Sequence, residues 1–450
     1  MNWVQIKKIS SEDNSKPIIY LPSFFLLSDL ETINLNFGKQ KKKVIIKILQ
    51  VENPEHNHFT SPITVSCSET LLNSLHIQED VTYKLYIQNE ELFLGPVIGL
   101  LLGEQHYYYH HRHMQEYSDA LSAYDQVGGL VIAFKECSID WEKQCLFGLF
   151  FHAKTQKWKY GKLPIPSVIY RRGFKLNQQV TEKLSKLTNN NVFNSFRYDK
   201  WELYQKLAQH KDFKHFLPDT KKIIKNKDVV NAIMEKSKII LKPADLSRGR
   251  GIYILKNHTA DSVMVIDYND GDKKELIIPN WALETYLDKE QLDRKNYIIQ
   301  PYLDLAKIDG DPWDIRVVMQ KNYKSEWQCS GIECRVAGKN QFVTNISRGG
   351  SALSIKEALE LSFGLSVSSP TLKKKVITVA KTFCESMDQT GEHFAEFGLD
   401  LAFDVNKRLW FIEANMRPTF NGFKKMDMAN YYYICQNPLR YAAAIGGFIE

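Results

Sequence analysis

Asp400, Glu413 and Asn415 are the residues of this chain best suited to chemistry. GLDLAFD at 398–404 and LWFIEAN at 409–415 read as two adjacent apolar strands, with Asp400 on the first and Glu413 and Asn415 on the second. A period of two puts Glu413 and Asn415 on one side of their strand. An acid flanked by Phe411, Ile412 and Ala414 is costly to place there without a partner. Hard oxygen ligands converging from neighbouring strands suit Mg²⁺, which keeps several waters and takes a few carboxylates together with substrate phosphates. The plainer alternative is a solvent-facing Asp400 and a Glu413 paired with a lysine.

Positive groups at glycine turns complement them. In KIILKPADLSRGRGIYIL, a buried strand ends at Lys242, a loop carries Arg248, Gly249, Arg250 and Gly251, and a second apolar strand follows. Such a hairpin can fold over a triphosphate, because glycine lets backbone N–H groups approach phosphate oxygens. The loop lacks the GxxxxGK[ST] pattern, and by itself an ordinary basic turn explains it as well. DIRVVMQ sets Asp314 and Arg316 on one strand face, and TNISRGGS carries Asn345, Arg348 and two glycines. The planar fork of arginine grips phosphate or carboxylate, although Asp314 and Arg316 could equally be a structural pair. YIIQPYLD ends a strand with Gln300, Tyr302 and Leu303, able to offer main-chain groups to an adenine, and Asp304, able to reach a ribose. HYYYHHRH at 106–113 holds His106, His110, His111 and His113 but shows no clean tetrahedral set. A partly exposed loop or helix start is expected there, with contact to an acceptor substrate as the other reading.

These residues need elements to carry them. Residues 1 to about 90 alternate short β-prone runs with polar turns, a small mainly β unit. From Leu94, the runs GPVIGLLLG, GGLVIAFKE and PSVIYRRGF suggest buried parallel strands with helical crossovers, the last closing the layer. DKWELYQKLAQH is a helix broken by LPDT, with Trp201, Leu203, Tyr204 and Leu207 near one face. Strands are expected through YIIQPYL, DIRVVMQ, GIECRVAG, GLDLAFD and RLWFIEAN, and a helix through TLKKKVITVAKTFCESMDQ.

Composition bounds the class. With 450 residues, 44% apolar and 25% charged, the chain has the balance of a soluble protein of two or three packed units. The net charge of +7 (59 Lys+Arg against 52 Asp+Glu) is spread along the chain and mildly favours an anionic ligand. No basic stripe with stacking aromatics points to nucleic acid, and the KQKKK run at 39–43 reads as a solvated turn. Seven cysteines without a CxxC pair fit a reducing compartment. No secretory leader or membrane-spanning run is present, so a cytoplasmic protein without a membrane partner is expected.

Taken in order, DK at 199–200, LKP with RGRGI at 241–252, QPYL at 300–303, DIR at 314–316, NISRGG at 345–350, GLD at 398–400 and EAN at 413–415 resemble the ATP-grasp superfamily. The match covers roughly half the chain. The aromatic helix after DK and the ending FIEANMRP look most like the endospore coat-associated YheC/YheD group. The resemblance implies an α/β (α+β) ATP-grasp fold. Its units would be a small mainly β domain at 1–92, an α/β pre-ATP-grasp domain at 93–194 and a two-part nucleotide-binding domain at 195–450.

The resemblance also implies roles. Lys200 and Lys242 would contact the ATP phosphates beneath a flexible loop at 246–251, and Gln300 and Leu303 would sit at the adenine. The family often has Glu at the position of Gln300, which puts a side-chain contact there in doubt. Arg316 and Arg348 would approach the γ-phosphate and acceptor. Asp400, Glu413 and Asn415 would hold one or two Mg²⁺ ions, or Mn²⁺, with Glu413 bridging. The implied activity is Mg-ATP-dependent ligation of a carboxylate to an amine through an acyl phosphate, for which positioning and charge stabilisation suffice. Rival readings are a small-molecule kinase and a spore-coat-associated nucleotide-binding scaffold without turnover.

Overall fold

The structure is a computed structural model that describes residues 1–9, 15–25, 30–50, 58–246, 249–268, 273–338 and 350–449. Alternation gives the first strands one apolar face each. Val4 and Ile6, then Ile33, Leu35 and Phe37, are buried between half-exposed neighbours. Those faces are covered by closing the strands Asn2–Lys8, Ile18–Pro22, Thr32–Phe37, Gln40–Leu49, Ile63–Cys67, Thr82–Gln88 and Glu91–Gly95 into a barrel. Of the run expected as a turn, Gln40–Lys43 lie inside the strand Gln40–Leu49, and the turn is confined to Gly38, where φ is +57°, and Lys39. Ladder pairing with Thr32–Phe37 sets the register, and the outward lysines accommodate it; Lys41 bonds Glu91.

The next sheet is mixed, ordered Lys157–Pro164, Cys145–His152, Leu130–Asp140, Val97–Leu101, Val168–Arg171, Val192–Phe193. Its core is parallel, as the continuous apolar runs imply: Val97–Leu101 pairs in parallel with both Leu130–Asp140 and Val168–Arg171. Val168–Arg171 does not close the layer, because Val192–Phe193 pairs beyond it. The helix Met428–Ile445 returns to this sheet, packing Leu439, Tyr441 and Ala442 among Ile98, Leu100 and Val168.

Two antiparallel sheets carry the remaining strands. One runs Lys221–Lys222, Tyr297–Pro301, Lys238–Pro243, Tyr253–Thr259, Ser262–Asp267, Lys274–Pro279, with the helices Asn226–Lys236 and Leu283–Glu290 on its apolar face. The other runs Ser351–Leu353, Trp327–Val336, Asp311–Lys321, Glu396–Phe403, Leu409–Asn415. Its apolar face, with Ile315, Val317, Phe397 and Leu399, is sealed by the helices Ile355–Phe363 and Ser369–Asp388. The helix after Asp199 is shorter than its pattern suggests. Lys200–Ala208 buries Leu203 and Leu207 and stops before LPDT, where a 3-10 turn at Lys214–Phe216 intervenes.

Candidate functional site

The polar faces of the two antiparallel sheets, with Tyr107, Tyr108, His113 and residues 171–174 at the end of the strand Val168–Arg171, enclose a cavity of about 1270 Å³. Asp199 starts one wall. Its side chain accepts the N–H groups of Trp201 and Glu202 at 2.8 Å each, and Glu202 returns a bond to the Asp199 N–H at 2.9 Å, a capping box. That fixes Lys200 at the first helical position. Its ammonium donates to the carbonyls of Pro243, at 3.2 Å, and Leu246, and so ties the helix to the root of the glycine loop. Gly249 and Gly251 take φ of +69° and +71°, which an L side chain rarely adopts.

Lys242 ends the neighbouring strand with its ammonium 3.0 Å from Gln300 Oε1, while Gln300 Nε2 donates to Thr220 at 2.9 Å. The Gln300 amide is therefore committed to orienting Lys242 rather than to an adenine. Tyr302 differs from expectation in the same way: its N–H donates to the Lys238 carbonyl at 3.1 Å, and its ring lies 3.5 Å from the Lys238 ammonium. Among the described residues the Leu303 N–H makes no hydrogen bond. Burial, then the charge of Lys200, pulls Lys242 down to about 8 against the pull of Glu413. Burial lowers Lys200 too, again opposed by Glu413.

The facing sheet carries the carboxylates. Asp400 sits opposite Arg316 on one side and Glu413 on the other, and Arg316 sits opposite Glu333 on its far side. Asn415 Nδ2 donates to Glu413 Oε1 at 3.2 Å, so the two share a face, as their spacing requires. Asp400 and Arg316 meet side-on, Nη2 to Oδ2 at 3.0 Å with Nε on the other oxygen. Arg335 reaches the same Asp400 oxygen at 3.0 Å and holds Asp314 through two bonds of 2.7 and 2.5 Å. Burial raises Asp400, but Arg316 and Arg335 outweigh it and hold the carboxyl at about 2. Asp314 and Arg316 thus pair across the sheet with other residues and not with each other. Asp400, expected as a metal ligand, is engaged by two guanidinium groups, which leaves Glu413 and Asn415 as the more open donors. The glycine of GLD has a packing reason: a Cβ at Gly398 would come within 2.6 Å of Pro418 and 3.2 Å of the Arg316 stem.

Glu333 was not anticipated. It is 2% exposed, its Oε2 has no hydrogen-bond partner among the described residues, and burial pushes it up to about 7 despite Arg316 and Arg335. Arg335 was missed as well, although GIECRVAG places Glu333 and Arg335 on one face by the same alternation that located Glu413 and Asn415. Gly249, Arg250, Tyr302 and Leu303 line the cavity. Arg248, Asn345 and Arg348 lie outside the described residues. The histidines form a 3-10 turn, His106–Tyr109, and the short helix His111–Met114; Tyr107, Tyr108 and His113 face the cavity. No cluster of three or more His, Cys, Asp or Glu fit to hold a metal occurs among the described residues.

Fold and sequence together define the class: an α+β protein of the ATP-grasp type. Residues 189–445 match the family described as YheC/D like ATP-grasp, and the chain belongs to that family. It is 25% identical over 369 residues to the endospore coat-associated protein YheD of Bacillus subtilis (strain 168), covering 79% of this chain and 80% of the relative. The endospore coat-associated protein YheC of the same organism is 25% identical over 276 residues, covering 60% of this chain and 75% of the relative. Among solved structures, D-alanyl-alanine synthetase A from Vibrio cholerae shares 11% identity, with 76% of this chain and 98% of that one covered at a TM-score of 0.43.

Among the described residues no helix is long and apolar enough to cross a membrane.

Proposed function

We propose that the chain is an Mg-ATP-dependent ligase that joins a carboxylate to an amine through an acyl phosphate. The observation that carries this reading is the opposition of two lysines, Lys200 and Lys242, to Glu413 and Asn415 across one cavity. Both ammonium groups are disfavoured by burial and bonded to neutral oxygens, so a polyphosphate would supply the charge they lack. The open oxygens of Glu413 and Asn415 fit a hard divalent cation shared with phosphates, and Mg²⁺ bound there would offset negative charge on the transferring group.

The residues of the chain do the rest by position. Lys200 and Lys242 hold the phosphates, the loop through Gly249 and Gly251 offers backbone donors over them, and the Leu303 N–H meets the adenine edge. Arg316 and Arg335, held in orientation by Asp400 and Asp314, face the acceptor carboxylate. A carboxylate oxygen attacks the γ-phosphorus as the bond to the β-phosphate oxygen breaks, giving ADP and an acyl phosphate. The amine nitrogen then attacks the acyl carbon, phosphate leaves and the nitrogen loses a proton, forming an amide. The names of the two relatives support action at the endospore coat, by a protein made in the cytoplasm.

Thermal unfolding with ATP and Mg²⁺, separately and together, tests this. A ligand at about 100 times its dissociation constant stabilises by roughly 2.7 kcal/mol, and the expected shift needs both components and vanishes in Lys242→Ala. Hydroxylamine should then trap acyl phosphate as ADP accumulates. A wild-type protein indifferent to Mg-ATP rules the ligase out, and ADP release without trappable acyl phosphate points to the kinase.

A further inference from the structure

Arg171 is a buried cation without a hydrogen-bonded acceptor among the described residues. It ends the strand Val168–Arg171, is 8% exposed and lines the cavity. Among the described residues no hydrogen bond or ion pair reaches its guanidinium, and its Nε is wholly enclosed. Arg172, its neighbour, is different: it donates to Glu396 at 3.2 Å and to Tyr170 at 2.9 Å.

Two more guanidinium groups gather at the same end. Arg197 lies close enough to Arg171 to repel it, and its own contacts are a long 3.5 Å bond to the Phe174 carbonyl and the Phe174 ring at 5.3 Å. Arg417 lies 4.8 Å from the Phe174 ring and 5.7 Å from that of Tyr108, with no hydrogen bond or ion pair among the described residues. Phe174 itself is 41% exposed. The acids nearest Arg171 are engaged elsewhere: Glu136 accepts the Asn177 N–H at 2.8 Å, and Glu392 accepts the Ser195 hydroxyl at 2.7 Å. An enclosed guanidinium without an acceptor destabilises a fold. It is retained with least cost where a ligand supplies the acceptor.

We propose that Arg171, Arg197 and Arg417, with the rings of Phe174 and Tyr108, form a second anion site that holds a further carboxylate of the acceptor substrate, which is therefore at least a dicarboxylate. The inference rests on the ligase reading and deepens it by naming the substrate class. Arg417 lies four residues beyond Glu413, so about 14 Å of chain at most separates the two. A small molecule can span both places. The guanidinium fork matches a carboxylate through two parallel bonds, and the exposed ring between Arg197 and Arg417 provides a flat apolar wall for the carbon chain beside it.

Thermal unfolding at constant ionic strength, with glutarate and inorganic phosphate as probes, tests the site in the full chain. Saturating glutarate is expected to raise the midpoint of the wild type and of Lys242→Ala by about 2 °C and to leave Arg171→Met unmoved. Arg197→Gln, at an exposed position, is expected to weaken glutarate about tenfold. Ligand-free Arg171→Met should unfold at or above the wild-type temperature, since it loses a buried guanidinium that no acceptor bonds. Its Mg-ATP shift should equal that of the wild type. No glutarate shift in the wild type, an equal shift in Arg171→Met, or a lowered midpoint for that variant without ligand each overturns the proposal. A phosphate shift larger than that of glutarate, with the same dependence on Arg171, overturns the carboxylate in favour of a phosphate monoester. A glutarate shift in a protein that ignores Mg-ATP leaves this site standing and sinks the ligase reading alone.

Discussion

Lys242 shows how burial can bias the protonation of a single side chain. Its nearest partner is the neutral Oε1 of Gln300, at 3.0 Å, and burial holds it at about 8, below its ordinary 10.5. Between those values the unfolded chain keeps a proton that the folded chain has released. The contribution of Lys242 to stability therefore rises with pH across that window. A polyphosphate reverses the preference, so Mg-ATP binding should take up a proton near pH 8 and weaken as pH rises above it. Calorimetric titration in buffers of different ionisation enthalpy measures the proton; equal affinity at pH 7 and pH 9.5 would exclude Lys242 from the phosphate site. Lys242, Asp400, Glu413 and Asn415 were readable in the chain because strand alternation and glycine placement leave local marks, whereas Lys200 was singled out only by the family resemblance. The occupation of the Gln300 amide by Lys242 and Thr220 was not readable, because it depends on two strands and a loop meeting.

Elements decide where such side chains point. Asp199 caps the helix Lys200–Ala208 and also accepts the Asn296 amide at 2.9 Å, joining the helix start to the segment before the strand Tyr297–Pro301. Asp199→Ala should cost about 1 kcal/mol for the cap alone, with a further loss from the Asn296 bond. Because the cap sets Lys200, a larger proportional loss of nucleotide affinity is expected. A urea unfolding curve and an ATP titration on the same variant separate the two effects, and a stability loss with unchanged affinity would show that Lys200 is positioned without the cap. The strands through GLDLAFD and RLWFIEAN could be read from periodicity, whereas the early end of the helix at Ala208 and the placing of the lysine run within a strand could not. Both are set by packing and ladder register, which override local pattern.

At the scale of the molecule, one buried carboxylate links the mixed sheet to the last sheet. Glu396 is fully buried and accepts from Tyr170, from Arg172 at 3.2 Å and from Gln320 at 2.7 Å. Asn194 adds a second link, donating to the carbonyls of Glu396 at 3.3 Å and Met416 at 3.0 Å. Glu396→Leu leaves Arg172 buried and unpaired and should cost about 3–5 kcal/mol; a loss below about 1 kcal/mol by denaturant titration would mean that Arg172 finds another partner. The sequence by itself determined the strand pair bearing Asp400 and Glu413, which is written in short-range periodicity, and, through the order of its motifs, the family resemblance that implies the fold. Only the tertiary structure decided that Asp400 is held by Arg316 and Arg335, that Glu333 lies beneath them, and that Arg171, Arg197 and Arg417 meet at one end of the cavity. Those contacts join residues far apart along the chain, and the free energy of charge burial that selects them exists only once the sheets have enclosed the space between them.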